Sequence, residues 1–247
     1  MKALRKAALT EFRLLRRDRV TLPLALLLPL GLLLGFGFGD GMREALPELG
    51  GYTPFEIFIV PISLVLVVMM LPLQVLPGTL ATYRERGVLR RMATTPVHPA
   101  TLLGAQLAVH LGTLVASLLL TSAVAGLVLG VSAPQQPGPV VGVLALGIGA
   151  LYGMGLLVAA LAPKASTATA AGMALFFPQL LLGGLMVPAD QLPDVMVRLG
   201  RLLPAGATLA GLQAAWTGSG IEALHVVVLA AWTLGLGVFA AARFRWT

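Results

Sequence analysis

The sequence predicts an all-α integral membrane protein with six transmembrane helices, and three observations carry that prediction. Of 247 residues, 57% are apolar and 11% charged, with a mean hydropathy of +0.92, well outside the balance of a water-soluble domain. Apolar segments follow one another along the chain at 21–38, 54–82, 100–129, 140–161, 167–187 and 221–242, separated by polar or Pro/Gly-rich connections. Counted over alternate connections, 14 of the 17 Lys and Arg residues fall on one side. That side is the cytoplasmic one, so both termini are placed there. The net charge of +7 thus reflects topology rather than a nucleic-acid face, and no nucleic acid is expected as a partner.

Residues 1–20 alternate Leu4, Ala7, Ala8, Phe12 and Leu15 with seven basic side chains at helical spacing, as a helix lying on the cytoplasmic surface does. A signal peptide would share the basic start and the apolar run that follows, but no small-residue cleavage site comes after it. The first span, 21–38, carries Pro23 and Pro29 and frays into glycines. The second, 54–82, is long enough to project from the bilayer or to kink at Pro61, Pro72 and Pro77. Pro134, Pro137 and Pro139 mark a turn between the third and fourth spans, and Lys164 marks the short connection from the fourth to the fifth. In 188–220 the residues Leu192, Val195, Met196, Leu199, Leu202 and Leu203 keep one helical face, with Asp194, Arg198 and Arg201 on the other. This pattern fits a short helix at the outer interface or a re-entrant segment.

The most informative stretch is YRERGVLRRMATTPVHP, Tyr83 to Pro99, because it sets five ionised groups between two very apolar spans. Each would cost roughly 2.5 to 3.5 kcal/mol at the bilayer midplane, so the stretch lies in water. Val88, Leu89 and Met92 give it a small apolar face beside an arginine face until Pro96 ends the helix. Such an element can dock on a partner.

Several chemistries are excluded by what such sites require. Neither GxxxxGK[ST] nor GxGxxG occurs, so no nucleotide site of the usual kinds is encoded, and no HExxH pair, nucleophile motif or pair of in-membrane aspartates suggests a protease. No enzyme activity, metal or cofactor is expected in this chain. Glu56 and Glu222 lie near span ends rather than at the midplane, which argues against an ion-coupled carrier. His110 lacks a neighbouring carboxylate or second histidine and reads as an inter-helix hydrogen-bonding group. Gln74, Gln106, His110 and Gln179 remain as candidates for lining a pathway, with helix packing as the alternative.

Two motifs resemble those of one family. Arg84 to Val97, RERGVLRRMATTPV, is similar to the E-x-G-x-L-x-x-L-x-x-T-P segment of ABC-2 type permeases, with Met92 in place of leucine. GGLMVPADQLPDVMVRLGRLLPA, Gly183 to Ala205, resembles their G-x-x-x-P-x-x-x-L-P element before the last span. The resemblance spans essentially the whole of 1–247 as one transmembrane domain and comes nearest to bacterial drug and antibiotic exporters. It implies the type V exporter fold, with 1–20 as a connecting helix and 86–95 as a coupling helix. It implies a cytoplasmic ATPase subunit in two copies, which carries the ATP and Mg²⁺, and a second permease copy in the bacterial plasma membrane. The site residues that follow from it are Glu85, Arg86, Val88, Leu89, Arg90, Arg91, Met92, Thr95 and Pro96 for coupling, and Pro188, Leu192, Pro193, Val195 and Leu199 for an outer gate. The expected function is ATP-driven export of a hydrophobic or amphiphilic substrate, with a membrane scaffold or assembly factor as the alternative.

Because the chain has no cysteine, single-cysteine variants test the topology cleanly. An impermeant maleimide applied to intact cells should label cysteines at Gly50 and Gln135 and miss those at Thr95 and Thr247; labelling at Thr95 would overturn the topology.

Overall fold

The computed structural model describes residues 21–87, 99–187 and 191–243. The surface helix expected at 1–20, most of the coupling segment and Pro188 lie outside these residues. Among the described residues the fold is all helical. Helix α1 is Thr21–Gly37, α2 is the continuous rod Phe55–Glu85, and α3 is Pro99–Ala123 with a wider turn, Val124–Val128, at its end. Then come α4 (Pro137–Leu161), α5 (Ala165–Leu182), α6 (Asp194–Arg201), α7 (Pro204–Thr217) and α8 (Ala223–Arg243). Four of these, within α2, α3, α4 and α5, are long and apolar enough to cross a membrane, and α6 with α7 makes a fifth if that bent pair is one broken span. The segments expected as first and last spans hold the shorter apolar helices Leu26–Gly37 and Ala223–Gly237.

Helix α2 is the axis of the bundle. Residues 59–73 are buried all round, and α1, α3, α4, α5 and α7 pack against it. A helix apolar on every face belongs inside a bundle rather than at its edge. Its 31 residues, at about 1.5 Å each, exceed a hydrocarbon thickness of about 30 Å, so its ends emerge. Two turns of α2 are widened to i→i+5 pairing, Phe55–Ile59 and Leu71–Val75. Both lie beside prolines, which lack the N–H that would complete the ladder. The helix therefore passes Pro61, Pro72 and Pro77 without breaking.

The carbonyls that Pro61 and Pro77 free are met by other elements. Pro61 cannot serve the Ile57 carbonyl four residues earlier, and Gln213 Nε2 of α7 donates to it at 3.2 Å. Pro77 cannot serve the Pro72 and Leu73 carbonyls, which instead face the backbones of Gly155 in α4 and Gly172 in α5. A Cβ at either glycine would lie 2.0 Å from the carbonyl oxygen it faces, so only glycine allows this approach. The separation suits Cα–H···O contacts.

The connections differ from expectation in two places. Pro137 and Pro139 belong to the first turn of α4, where a proline's missing N–H costs nothing. The stretch 188–220 holds the expected short amphipathic helix, α6, and a second helix that was not expected: α7 follows α6 at an 87° bend and is buried along most of its length against α4, α8 and α2. Leu203–Pro204 supplies the bend, since a residue before proline is disfavoured in helix and proline suits the first helical position.

Gly155→Val should destabilise the bundle by roughly 1–3 kcal/mol or more through overpacking against Pro72. Gly112→Ala, where a Cβ meets nothing within 4 Å, should be neutral or slightly stabilising. Thermal unfolding of the purified variants in detergent, followed by size-exclusion fluorescence, checks both.

Candidate functional site

The bundle has two polar ends. One is marked by Glu56, where Thr53 and Glu56 form a reciprocal capping box: Thr53 N–H and Oγ1 donate to Glu56 Oε2, and Glu56 N–H donates to Thr53 Oγ1, each at 3.1 Å. Glu56 Oε1 also accepts from Ser132 N–H at 3.1 Å. Arg43 donates to the Leu129 carbonyl at the end of α3, and Gln135 to the Tyr52 hydroxyl. The backbone N–H groups of Gln135 and Gln136 reach the Trp216 and Ala215 carbonyls of α7. Glu56 is thus a structural cap, and three connections are knitted together at this end.

At the opposite end α2 finishes at Glu85 and the charged stretch begins. Arg84 Nη1 donates to the Ala162 carbonyl at 2.9 Å and lies 3.5 Å from the Ala160 carbonyl, closing the end of α4. Glu85 Oε2 accepts from Ala165 N–H at 3.2 Å, capping the start of α5. A cation at a helix C-terminus and an anion at an N-terminus both oppose the local dipole. Two consecutive side chains therefore bind the end of α2 to the turn between α4 and α5. Glu85 and Arg86 are exposed, and Gly87 turns the chain with φ +65°, a conformation that favours glycine. Val88, Leu89, Arg90, Arg91, Met92, Thr95 and Pro96 lie outside the described residues.

Of the residues expected at the gate, Leu192 is half-buried and Pro193 exposed. Val195 and Leu199 are 68% and 50% exposed, forming an apolar stripe on α6 with Met196 and Leu202. Asp194 in the first turn and Arg198 and Arg201 in the last suit the dipole of this short helix. Gly200 faces inward against the Leu182 carbonyl, where a Cβ would lie 1.8 Å from the oxygen. At the bend, Trp232 Nε1 donates to the Leu202 carbonyl at 2.9 Å. Trp232 is the tenth residue of α8, so the bend lies about 13 Å along that helix, near its middle.

The expected pathway residues are inside the bundle. Gln179 is 1% exposed; its Oε1 accepts from Ala205 N–H at 3.0 Å in the first turn of α7. Gln106 and His110 are buried and paired at 3.1 Å along α3, and Gln74 is half-buried in the widened turn of α2. Arg84 and α7 as an element were not singled out as site elements from the sequence. Pro204 and Gly218, bounding a run of mostly small or apolar residues, were the available signal for α7.

A cavity of about 600 Å³ opens between the start of α2, the end of α5, α6, α7 and the start of α8. Ile57, Phe58, Leu182, Val197 and Leu209 give it an apolar wall, and Arg201, Gln213, Glu222 and His225 a polar one.

Removing the tether at the foot of α2 should loosen the α4–α5 turn. In the Arg84→Gln/Glu85→Gln variant, tryptic cleavage after the exposed Lys164 should accelerate roughly fivefold or more, as loss of a helix cap of about 1 kcal/mol implies. An unchanged rate would mean that these bonds do not hold the turn.

In the comparison with known proteins, a family model described as ABC-2 type transporter matches residues 5–217. No curated protein matches the chain.

Proposed function

The chain belongs to the ABC-2 type transporter family and is a multi-pass permease subunit of an ABC transporter, whose family implies an ABC ATPase partner; we propose that it works as an exporter driven by ATP hydrolysed on that partner. Two permease copies pair in the bacterial plasma membrane with two ATPase subunits, which hold ATP and Mg²⁺. The Arg84 end of the bundle faces the cytoplasm with both termini, in keeping with the distribution of Lys and Arg, and the Glu56 end faces outward.

One observation supports this reading above the others: Arg84 and Glu85 join the end of α2 to the α4–α5 turn immediately before the arginine-rich stretch. A load applied to the segment after Glu85 is then carried by three helices rather than one. Arg86, Arg90 and Arg91 meet the cassette, while Val88, Leu89 and Met92 seat in its groove and Thr95 and Pro96 close the coupling helix. Glu85 faces the α5 terminus and acts there as a link within the permease. Closure of the two cassettes on ATP displaces the coupling helices, and α2, α4 and α5 follow. The stripe Val195–Leu199 with Leu192, Pro193 and Pro188 gates the outer end. A hydrophobic or amphiphilic substrate crosses between the paired subunits, with Gln74 on the route.

The test is the triple variant Leu89→Asp/Arg90→Glu/Arg91→Glu. A lone surface ion pair is worth only about 0–1 kcal/mol, so single changes are weak probes, whereas two reversals add repulsion and the aspartate spoils the apolar face. Substrate-stimulated ATPase activity and copurification of the cassette should both be lost while membrane insertion is kept. Wild-type values of both would remove the mechanical basis of the proposal.

A further inference from the structure

The cavity beside α6 holds separated charges of opposite sign. Arg201 and Glu222 both line it, both are exposed, and no ion pair joins them. His225 lines the same cavity at 6% exposure, and neither ring nitrogen has a hydrogen-bond partner among the described residues. Its imidazole lies within the fields of both Glu222 and Arg201. Gln213 is half engaged, with its Nε2 on the Ile57 carbonyl. A buried imidazole without partners is costly unless something polar enters the site.

Depth adds a second constraint. Arg201 adjoins the bend whose Leu202 carbonyl meets Trp232, near the middle of α8, whereas Glu222 and His225 stand at that helix's start. A guanidinium at this depth must face water or a polar ligand rather than lipid. The cavity thus runs from a rim at Glu222 toward a cationic floor, with an apolar wall along one side.

We propose that this cavity binds a zwitterionic amphiphile. Its anionic group lies at Arg201 and His225, its cationic group at Glu222, and its apolar chain against Phe58, Leu182, Val197 and Leu209. A simple anion or cation would leave one wall charge without a partner. The proposal rests on the exporter reading in placing the site on the outward side, where it serves as the last station of an exported substrate.

The experiment uses the permease copurified with its ATPase partner in phosphatidylglycerol nanodiscs, without ATP. Binding is measured for lysophosphatidylethanolamine and for N-dodecyl betaine, with dodecyl phosphate and dodecyltrimethylammonium as purely anionic and purely cationic controls. Both zwitterions should bind saturably and more tightly than either control; tighter binding of the first marks a lipid headgroup, of the second a free zwitterionic compound. Arg201→Gln and Glu222→Gln should each weaken zwitterion binding by roughly ten- to a hundredfold. Glu222→Gln should leave dodecyl phosphate binding intact. Ala210→Trp, which fills the cavity without altering charge, should abolish zwitterion binding while cassette copurification reports an intact fold. Affinity that follows chain length regardless of headgroup, or wild-type binding in Ala210→Trp, would overturn the site. If binding behaves as expected but ATP drives no transport, the site stands and the exporter reading fails.

Discussion

A carbonyl or amide left without a partner inside hydrocarbon costs several kcal/mol, and the architecture of this protein is arranged around that constraint. Its prolines and helix breaks create many such groups. Six of those described are met from elsewhere in the chain: the Ile57 carbonyl by Gln213, the Leu202 carbonyl by Trp232, the Leu129 carbonyl by Arg43, the Ala162 carbonyl by Arg84, and the Ala165 and Ala205 amides by Glu85 and Gln179. Of the polar side chains that the sequence offers for a pathway, Gln179 is engaged at a helix end, while Gln106 and His110 pair with each other along α3. The permease is held together by caps that come from elsewhere in the chain.

Cross-capping has a mechanical corollary. When a helix end is closed by its own residues, the helix can tilt independently; when it is closed by a neighbour, the two ends move together or a bond breaks. The Arg84 end joins α2, α4 and α5 in this way, and the Glu56 end joins the connections around α2, α3, α4 and α7. Between them, α2 contains the widened turn Leu71–Val75, where backbone pairing is already irregular and bending is least costly. The stiff ends and compliant middle suit a lever.

The sequence carried the fold class, since composition and spacing of apolar segments are properties of single stretches. It also carried the family, through two short motifs. The Thr53-x-x-Glu56 box was legible but passed over, because Glu56 was weighed as a coupling acid rather than as a cap. The buried helix α7 was hidden by its own composition: PAGATLAGLQAAWT is too small-residued and too short to read as a span, yet small residues are what close packing against α4 requires. The roles of Arg84 and Gln179 were not legible at all, because their partners lie 78 and 26 residues away. Periodicity reports which face a residue occupies, not what stands opposite.

The bend between α6 and α7 changes the electrical geometry of the protein. With the floor of the cavity near the middle of α8, a charge at Arg201 is separated from the rim by about half the thickness of the hydrocarbon. A full crossing is worth about 2.3 kcal/mol per elementary charge per 100 mV. An ion leaving from that floor would therefore feel about half of this, roughly 1.2 kcal/mol per charge per 100 mV. For a zwitterion seated with its cationic group at the Glu222 rim and its anionic group at the Arg201 floor, only the anionic group has this part of the field still to cross, so an inside-negative potential favours the last step outward by about that amount.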